Sequence, residues 1–384
     1  MKKYSGAQGR NTKRLCAPEF FNTDYNLFGM DFCYEDKYLF FQHNGREYSC
    51  FSMFDNESLS DNDYGIAFFT SPYYRAEEDY FTVYMKAGKD KYSIGVLLPI
   101  LLLEEDDEDV TNDLIPFYQR HISLAIRKLL THLLNQDKIK ADTDIRLSDY
   151  YKDVILFLYN KDTAGEDVSC IVPSLYDNGF YLKKDPFDNY FQPLYKSHYM
   201  DNETRRKHNC KERRIYVKTL KHFPNHKKFF DFLYTDLLPY VDDPFYRFFS
   251  LYQAIELLSD YAYAEQFDNY LASFEKQKLS KNDLREKLVE AASEKKQIEW
   301  VYNNVMWKDD QDLFQRIITL LDYASIEKPK SNSLYSFIYT LRNKIVHEMR
   351  NVFKYKEDVK EIVDYIEKNI FNLLAENKVK PSKS

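Results

Sequence analysis

The strongest constraint on how this chain folds is a change of hydrophobic period along it. Up to about residue 100, short aromatic and β-branched runs alternate with turn residues: Tyr38-Leu39-Phe40-Phe41, Tyr48-Ser49-Cys50-Phe51, Ile66-Ala67-Phe68-Phe69 and Tyr80-Phe81-Thr82-Val83-Tyr84. Such runs read as strands. Asn112 then opens a helical stretch to about Leu134, carried by Ile115, Tyr118, Ile122, Ala125, Leu129 and Leu133. Mixed signals follow through Val154-Ile155-Leu156-Phe157-Leu158 and Ile171-Val172. After Pro224 the period is helical almost without relief, and helices are expected at 227–239, 244–264, 268–278, 281–303, 309–323, 331–352 and 355–375. Pro244 after Asp242-Asp243 is a good start signal, because the first helical turn has no use for the missing N–H. The expected fold class is α+β: a mixed strand/helix region over 1–222 and an all-helical domain over 223–384.

Nine glycines in 384 residues argue against folds built on Gly-rich loops, and neither G-x-G-x-x-G nor G-x-x-x-x-G-K-[ST] occurs. A dinucleotide-binding Rossmann domain and a P-loop are therefore not expected. The net charge of −7 opposes a polybasic nucleic-acid binder, although a local basic face is compatible with it. Met1-Lys2-Lys3-Tyr4-Ser5-Gly6 leads into polar residues rather than an apolar signal segment. The longest apolar run, Ile94–Leu103, falls far short of the ~20 residues of a membrane helix. Cys16, Cys33, Cys50, Cys170 and Cys210 are odd in number and widely spaced, which suits reduced thiols and a cytoplasmic protein without membrane contact. The acidic run Glu104–Asp109 reads as a solvated loop. His222 and His226 have Pro224 between them and lack the glutamate of a zinc-binding helix, so neither metal nor cofactor is expected.

The helix opening at Ser331-Asn332 carries the informative chemistry. Leu334, Ile338, Leu341, Ile345, Met349 and Val352 form its apolar stripe. At 100° per residue, Asn343 and His347 project almost opposite that stripe, one turn apart, with Arg342 on its flank. An imidazole titrates near neutrality and can move a proton. A guanidinium holds a phosphate bidentately, and an amide can orient either group. Spacing alone is weak: with 16 Arg and 8 His, chance supplies about one such match. Arg127 and His132 are a decoy at the same spacing and read as structural.

Arg342, the adjacent Asn343 and His347 on a late helix of an all-helical domain resemble the R-x4-6-H motif of the HEPN superfamily of ribonucleases. Tyr246-Arg247-Phe248-Phe249-Ser250-Leu251-Tyr252-Gln253-Ala254-Ile255-Glu256-Leu257-Leu258 resembles the early helix of ApeA-like HEPN domains. The resemblance covers about residues 226–375; residues 1–222 resemble nothing recognised. It implies a helical bundle that forms a homodimer through the C-terminal domain, so that two motifs meet in one cleft. It further implies metal-free cleavage of RNA by its own 2′-hydroxyl, leaving a 2′,3′-cyclic phosphate and a 5′-hydroxyl. In this sequence His347 would be the acid/base, Arg342 would bind the scissile phosphate and Asn343 would position both. Glu256, or Gln253, would orient Arg342 or His347. HEPN domains of this branch are frequent in bacterial anti-phage, abortive-infection and toxin systems. The N-terminal region would then restrain the enzyme until a phage-derived or small-molecule trigger arrives. The basic segment Arg205, Arg206, Lys207, Lys211, Arg213 and Arg214, followed by Lys221, Lys227 and Lys228, would guide RNA. Two other readings stay open: a non-catalytic HEPN-like nucleotide- or RNA-binding scaffold, and an N-terminal region that is itself the active unit, its aromatic strands stacking single-stranded bases.

Overall fold

The computed structural model describes the strands between Leu15 and Phe51 as backbone. From Asp61 it describes the residues to Ala375 except 75–79, 88–89, 104–115, 140–144, 167, 189–194, 196–210, 220–226, 302–310 and 332. The fold is α+β. Two compact units divide the chain: Met1–Phe191 with Asn202–Lys218, and Gln192–Asp201 with Thr219–Ser384. The expected boundary at 222/223 lies outside the described residues; the changeover falls at Lys218/Thr219, and the second unit also takes Gln192–Asp201.

The first unit holds two sheets. One has five antiparallel strands, β1 (Leu15–Cys16), β2 (Tyr25–Leu27), β3 (Met30–Glu35), β4 (Tyr38–His43) and β5 (Arg46–Phe51), in the order β1-β5-β4-β3-β2. The other contains β6 (Tyr64–Thr70), β7 (Phe81–Ala87), β8 (Asp90–Pro99), β9 (Ile155–Asn160), β10 (Tyr181–Leu182) and β11 (Arg214–Val217), ordered β10-β6-β9-β8-β7-β11. All its pairings are antiparallel except β11 with β7. Period-two alternation sends Val96, Leu98, Leu156 and Leu158 to one face, where α1 (Pro116–Asn135) covers them with Leu129 and Leu133. The other face, with Val83, Met85, Ile94 and Phe157, packs on α4 (Val172–Asp177) through Val172 and Leu175. Two short helices, α2 (Leu147–Tyr150) and α3 (Lys161–Ala164), flank β9. Ile171-Val172 thus opens a helix rather than a strand, because Pro173 stands within its first turn. Gly95 lies beside a bulge between β7 and β8, where a Cβ would come within 2.3 Å of the Leu158 carbonyl.

The second unit contains α5 (Lys227–Phe232), running into a π-turn at Leu233–Leu237, then α6 (Pro244–Glu275), α7 (Lys281–Ala291), α8 (Glu294–Val301), α9 (Gln311–Tyr323), α10 (Leu334–Val352) and α11 (Lys356–Ala375). Asp243 caps α6, its carboxylate accepting from the Phe245 and Tyr246 amides at 3.0 Å each. Two helices were expected over 244–278; they are one, since no Gly or Pro interrupts 245–275. The single helix expected over 281–303 is two. Ser280 and Asp283 form a capping box at the start of α7, and the helix ends at Ala292-Ser293.

A polar cluster is buried within the apolar core of this unit. Arg247 of α6 is fully buried and pairs with Glu367 of α11, also buried. Its Nη1 donates to the carbonyls of Leu238, at 2.6 Å, and Val241, at 2.9 Å. The Tyr195 ring lies 3.5 Å from the guanidinium, and its hydroxyl donates to Asp364 Oδ1 at 2.6 Å. Burial pushes the Tyr195 phenol far above its usual range, partly offset by the Arg247 charge. Tyr195 also donates its amide to the Pro239 carbonyl at 2.8 Å, which joins Gln192–Asp201 to this unit. Removing one member of a buried pair strands the other charge. Arg247→Ala or Glu367→Ala should each lower stability by ~3–5 kcal/mol in urea unfolding, whereas Arg247→Met with Glu367→Leu should recover part of the loss. A cost below ~1 kcal/mol for either single variant would contradict this assignment.

Candidate functional site

Helix α10 opens after Ser333, and Tyr335, Phe337, Ile338, Leu341, Ile345 and Val352 are buried along it. Phe337 meets Phe314 of α9 edge-on at 4.9 Å. Met349, expected in the apolar stripe, is 40% exposed. The reason lies one residue earlier: Glu348 has φ −137° and ψ 39°, so the backbone leaves helical geometry and the phase of the stripe shifts. Lys344 Nζ donates to Glu348 Oε1 at 2.6 Å and Asn351 Nδ2 to Oε2 at 2.9 Å. These bonds, the lysine's first, hold the Glu348 carboxyl below the usual range.

Arg342 is half-buried and held from two directions. Its Nη1 donates to Asn343 Oδ1 at 3.0 Å, and its Nη2 lies 3.8 Å from Glu256 Oε1 on α6. The Tyr252 ring, one turn before Glu256, lies 5.4 Å from the guanidinium. Two residues of one α6 face thus contact Arg342. His347 is exposed and has no hydrogen bond or ion pair among the described residues. The arrangement is a paired cation and an exposed imidazole on the same helix, five residues apart: one group can hold a phosphate and the other can exchange a proton with solvent or substrate.

Of the sequence-derived site residues, Arg342, Asn343 and Glu256 come together, and His347 follows Asn343 by one turn. Gln253 is exposed on α6, and among the described residues no hydrogen bond joins it to Arg342 or His347. Arg205, Arg206 and Lys207 lie outside the described residues, as do Lys221, His222, His226 and the run Glu104–Asp109. Arg213 and Arg214 are at the start of β11 in the first unit; Arg213 stands 4.4 Å over the Tyr80 ring and Arg214 5.8 Å over that of Tyr84. Among the described residues, no group of three His, Cys, Asp or Glu could hold a metal ion, and no helix is long and apolar enough to cross a membrane. Tyr252 was not anticipated as a partner of Arg342. Its i,i+4 relation to Glu256 is the signal that could have found it.

The decoy His132 is packed against Phe68, Tyr151 and Phe187, at centroid distances of 4.9, 6.0 and 5.2 Å. Its Nδ1 lies 2.8 Å from the Tyr151 hydroxyl. Burial pulls its pKa below the ordinary 6.5, outweighing the pull of Asp185.

No known protein family, curated protein or solved structure matches this chain.

A folded-state pKa below the unfolded one means that the unfolded chain binds the extra proton first. Stability supplied by neutral His132 is therefore present above pH ~6.5 and lost as pH falls below it. The stability difference between wild type and His132→Leu should shrink from pH 7.5 to 5.5 in urea unfolding. A difference that grows on acidification would show that His132 is held protonated instead.

Proposed function

We propose that the second unit is a metal-independent endoribonuclease of the HEPN type, with Arg342, Asn343 and His347 as its site and Glu256 as the residue that positions Arg342. The observation carrying this reading is the pairing of a clamped guanidinium with an exposed, unbonded imidazole on one helix. RNA brings its own nucleophile, so few protein groups are needed. His347 takes the proton of the 2′-hydroxyl, and the oxygen attacks the adjacent phosphorus. The phosphorus–5′-oxygen bond breaks, the leaving oxygen acquires a proton, and a 2′,3′-cyclic phosphate and a 5′-hydroxyl result. Arg342 stabilises the charge gathering on the non-bridging oxygens.

An acid and a base are needed on opposite sides of the phosphate, which one histidine cannot supply alone. A second copy of the chain provides the other. Val346, Met349 and Phe353 support this: they are 42%, 40% and 58% exposed within six residues of His347, apolar surface suited to an isologous contact. On this reading the protein is a cytoplasmic homodimer in a bacterial anti-phage or toxin-like system, restrained by its N-terminal region.

His347→Ala and Arg342→Ala should each lower cleavage of total RNA by about 10²–10⁴, with folding and oligomeric state retained and EDTA without effect. Wild-type-like cleavage by either variant removes the assignment; RNA bound but never cut by the wild type favours the scaffold reading. Val346→Asp with Met349→Lys should yield a monomer in analytical ultracentrifugation and lose cleavage in parallel. A monomer that stays fully active rejects the composite site.

A further inference from the structure

The β7/β11 edge of the six-stranded sheet carries a second feature, separate from α10. On the sheet face that α1 covers further in, register places Tyr84 beside Tyr216 and Lys86 opposite Lys91. The two tyrosine rings are 5.7 Å apart, and Arg214 stands 5.8 Å over Tyr84. Both lysines turn onto one ring: Nζ of Lys86 lies 4.4 Å, and that of Lys91 4.7 Å, from the centre of Tyr216. Lys86, Lys91 and Arg214 are exposed, and both tyrosines are half-buried.

Like charges directly opposite each other in a strand pair destabilise it, and here a single ring receives both. A chain with net charge −7 thus gathers three cations around a two-ring platform. A folded duplex would offer its phosphates but keep its bases stacked inside. An unpaired strand offers both groups at once. From this juxtaposition we infer that the Tyr84/Tyr216 face binds single-stranded nucleic acid, its bases stacking on the two rings and its phosphates meeting Lys86, Lys91 and Arg214. A base that stacks on Tyr216 displaces an ammonium group toward the phosphates, which relieves the repulsion between the two lysines. The inference does not depend on cleavage at His347.

The test is fluorescence anisotropy of a labelled twelve-residue oligouridylate with the full-length His347→Ala chain, titrated at several KCl concentrations. Tyr84→Leu with Tyr216→Leu should weaken binding roughly tenfold or more. Lys86→Gln with Lys91→Gln should flatten the slope of log affinity against log salt by about 1.4. Lys152→Gln with Lys184→Gln, exposed lysines elsewhere on the unit, should change neither by more than about twofold. A matched RNA duplex should compete poorly. Circular dichroism and thermal unfolding accompany each variant; should the tyrosine pair misfold, the lysine pair decides. The inference is overturned if the oligouridylate does not bind, if the duplex binds as tightly, or if the control lysines matter equally. Wild-type cleavage of RNA without any effect of these variants on binding removes the sheet site and leaves the proposed catalysis standing. Binding that depends on them without wild-type cleavage does the reverse.

Discussion

The buried pair of Arg247 and Glu367 is the interaction on which the helical unit depends. Two charges removed from water are stable only when good geometry and further polar contacts offset the lost hydration, and the partners here come from separate parts of the chain. The guanidinium takes the carbonyls of Leu238 and Val241, the carboxylate of Glu367 and the face of Tyr195. Meeting all of these at once fixes the rotation of α6 about its own axis as well as its position. A hydrophobic contact tolerates a slipped helix; a charge sandwiched in this way does not.

That rotation reaches the candidate site through α6 itself. Residues nine apart on a helix point to opposite sides, so locking Arg247 toward α11 turns Glu256 toward α10. Tyr252 and Glu256 then meet Arg342, while Leu341 and Ile345 bury the adjoining stripe of α10 in the core. His347 is left outside this scaffold, one residue before the backbone departs from helical geometry at Glu348. The site therefore combines a cation paired from α6 with an exposed histidine, the division of labour that the proposed phosphate chemistry asks for.

Much of this was legible in advance because local patterns and tertiary needs agree. The aromatic and β-branched runs Ile66–Phe69 and Tyr80–Tyr84, the Asp243-Pro244 start and the period of α10 all appear where their physics places them. The departures have identifiable causes. Residues 265–267 carry no breaker, so α6 runs on, and Glu348 resets the phase so that Met349 faces out. The buried charge network was less accessible. Arg247 sits in phase with Leu251 and Ala254, and Asp364 and Glu367 with Phe371, but which charge meets which is a long-range fact that periodicity does not encode. The clustering of Lys86, Lys91 and Tyr216 is likewise invisible until register and the parallel pairing of β11 are known.

The central claim is that the helical unit turns the 2′-hydroxyl of RNA against its own backbone. The most direct measurement is the chemistry of the ends produced from a short RNA of defined sequence, read by mass spectrometry, beside the same RNA carrying one 2′-deoxy residue at the cleaved step. The account predicts a 2′,3′-cyclic phosphate and a 5′-hydroxyl from the first and no cut at the substituted step in the second. A 5′-phosphate product, or cleavage that ignores the missing hydroxyl, would contradict it.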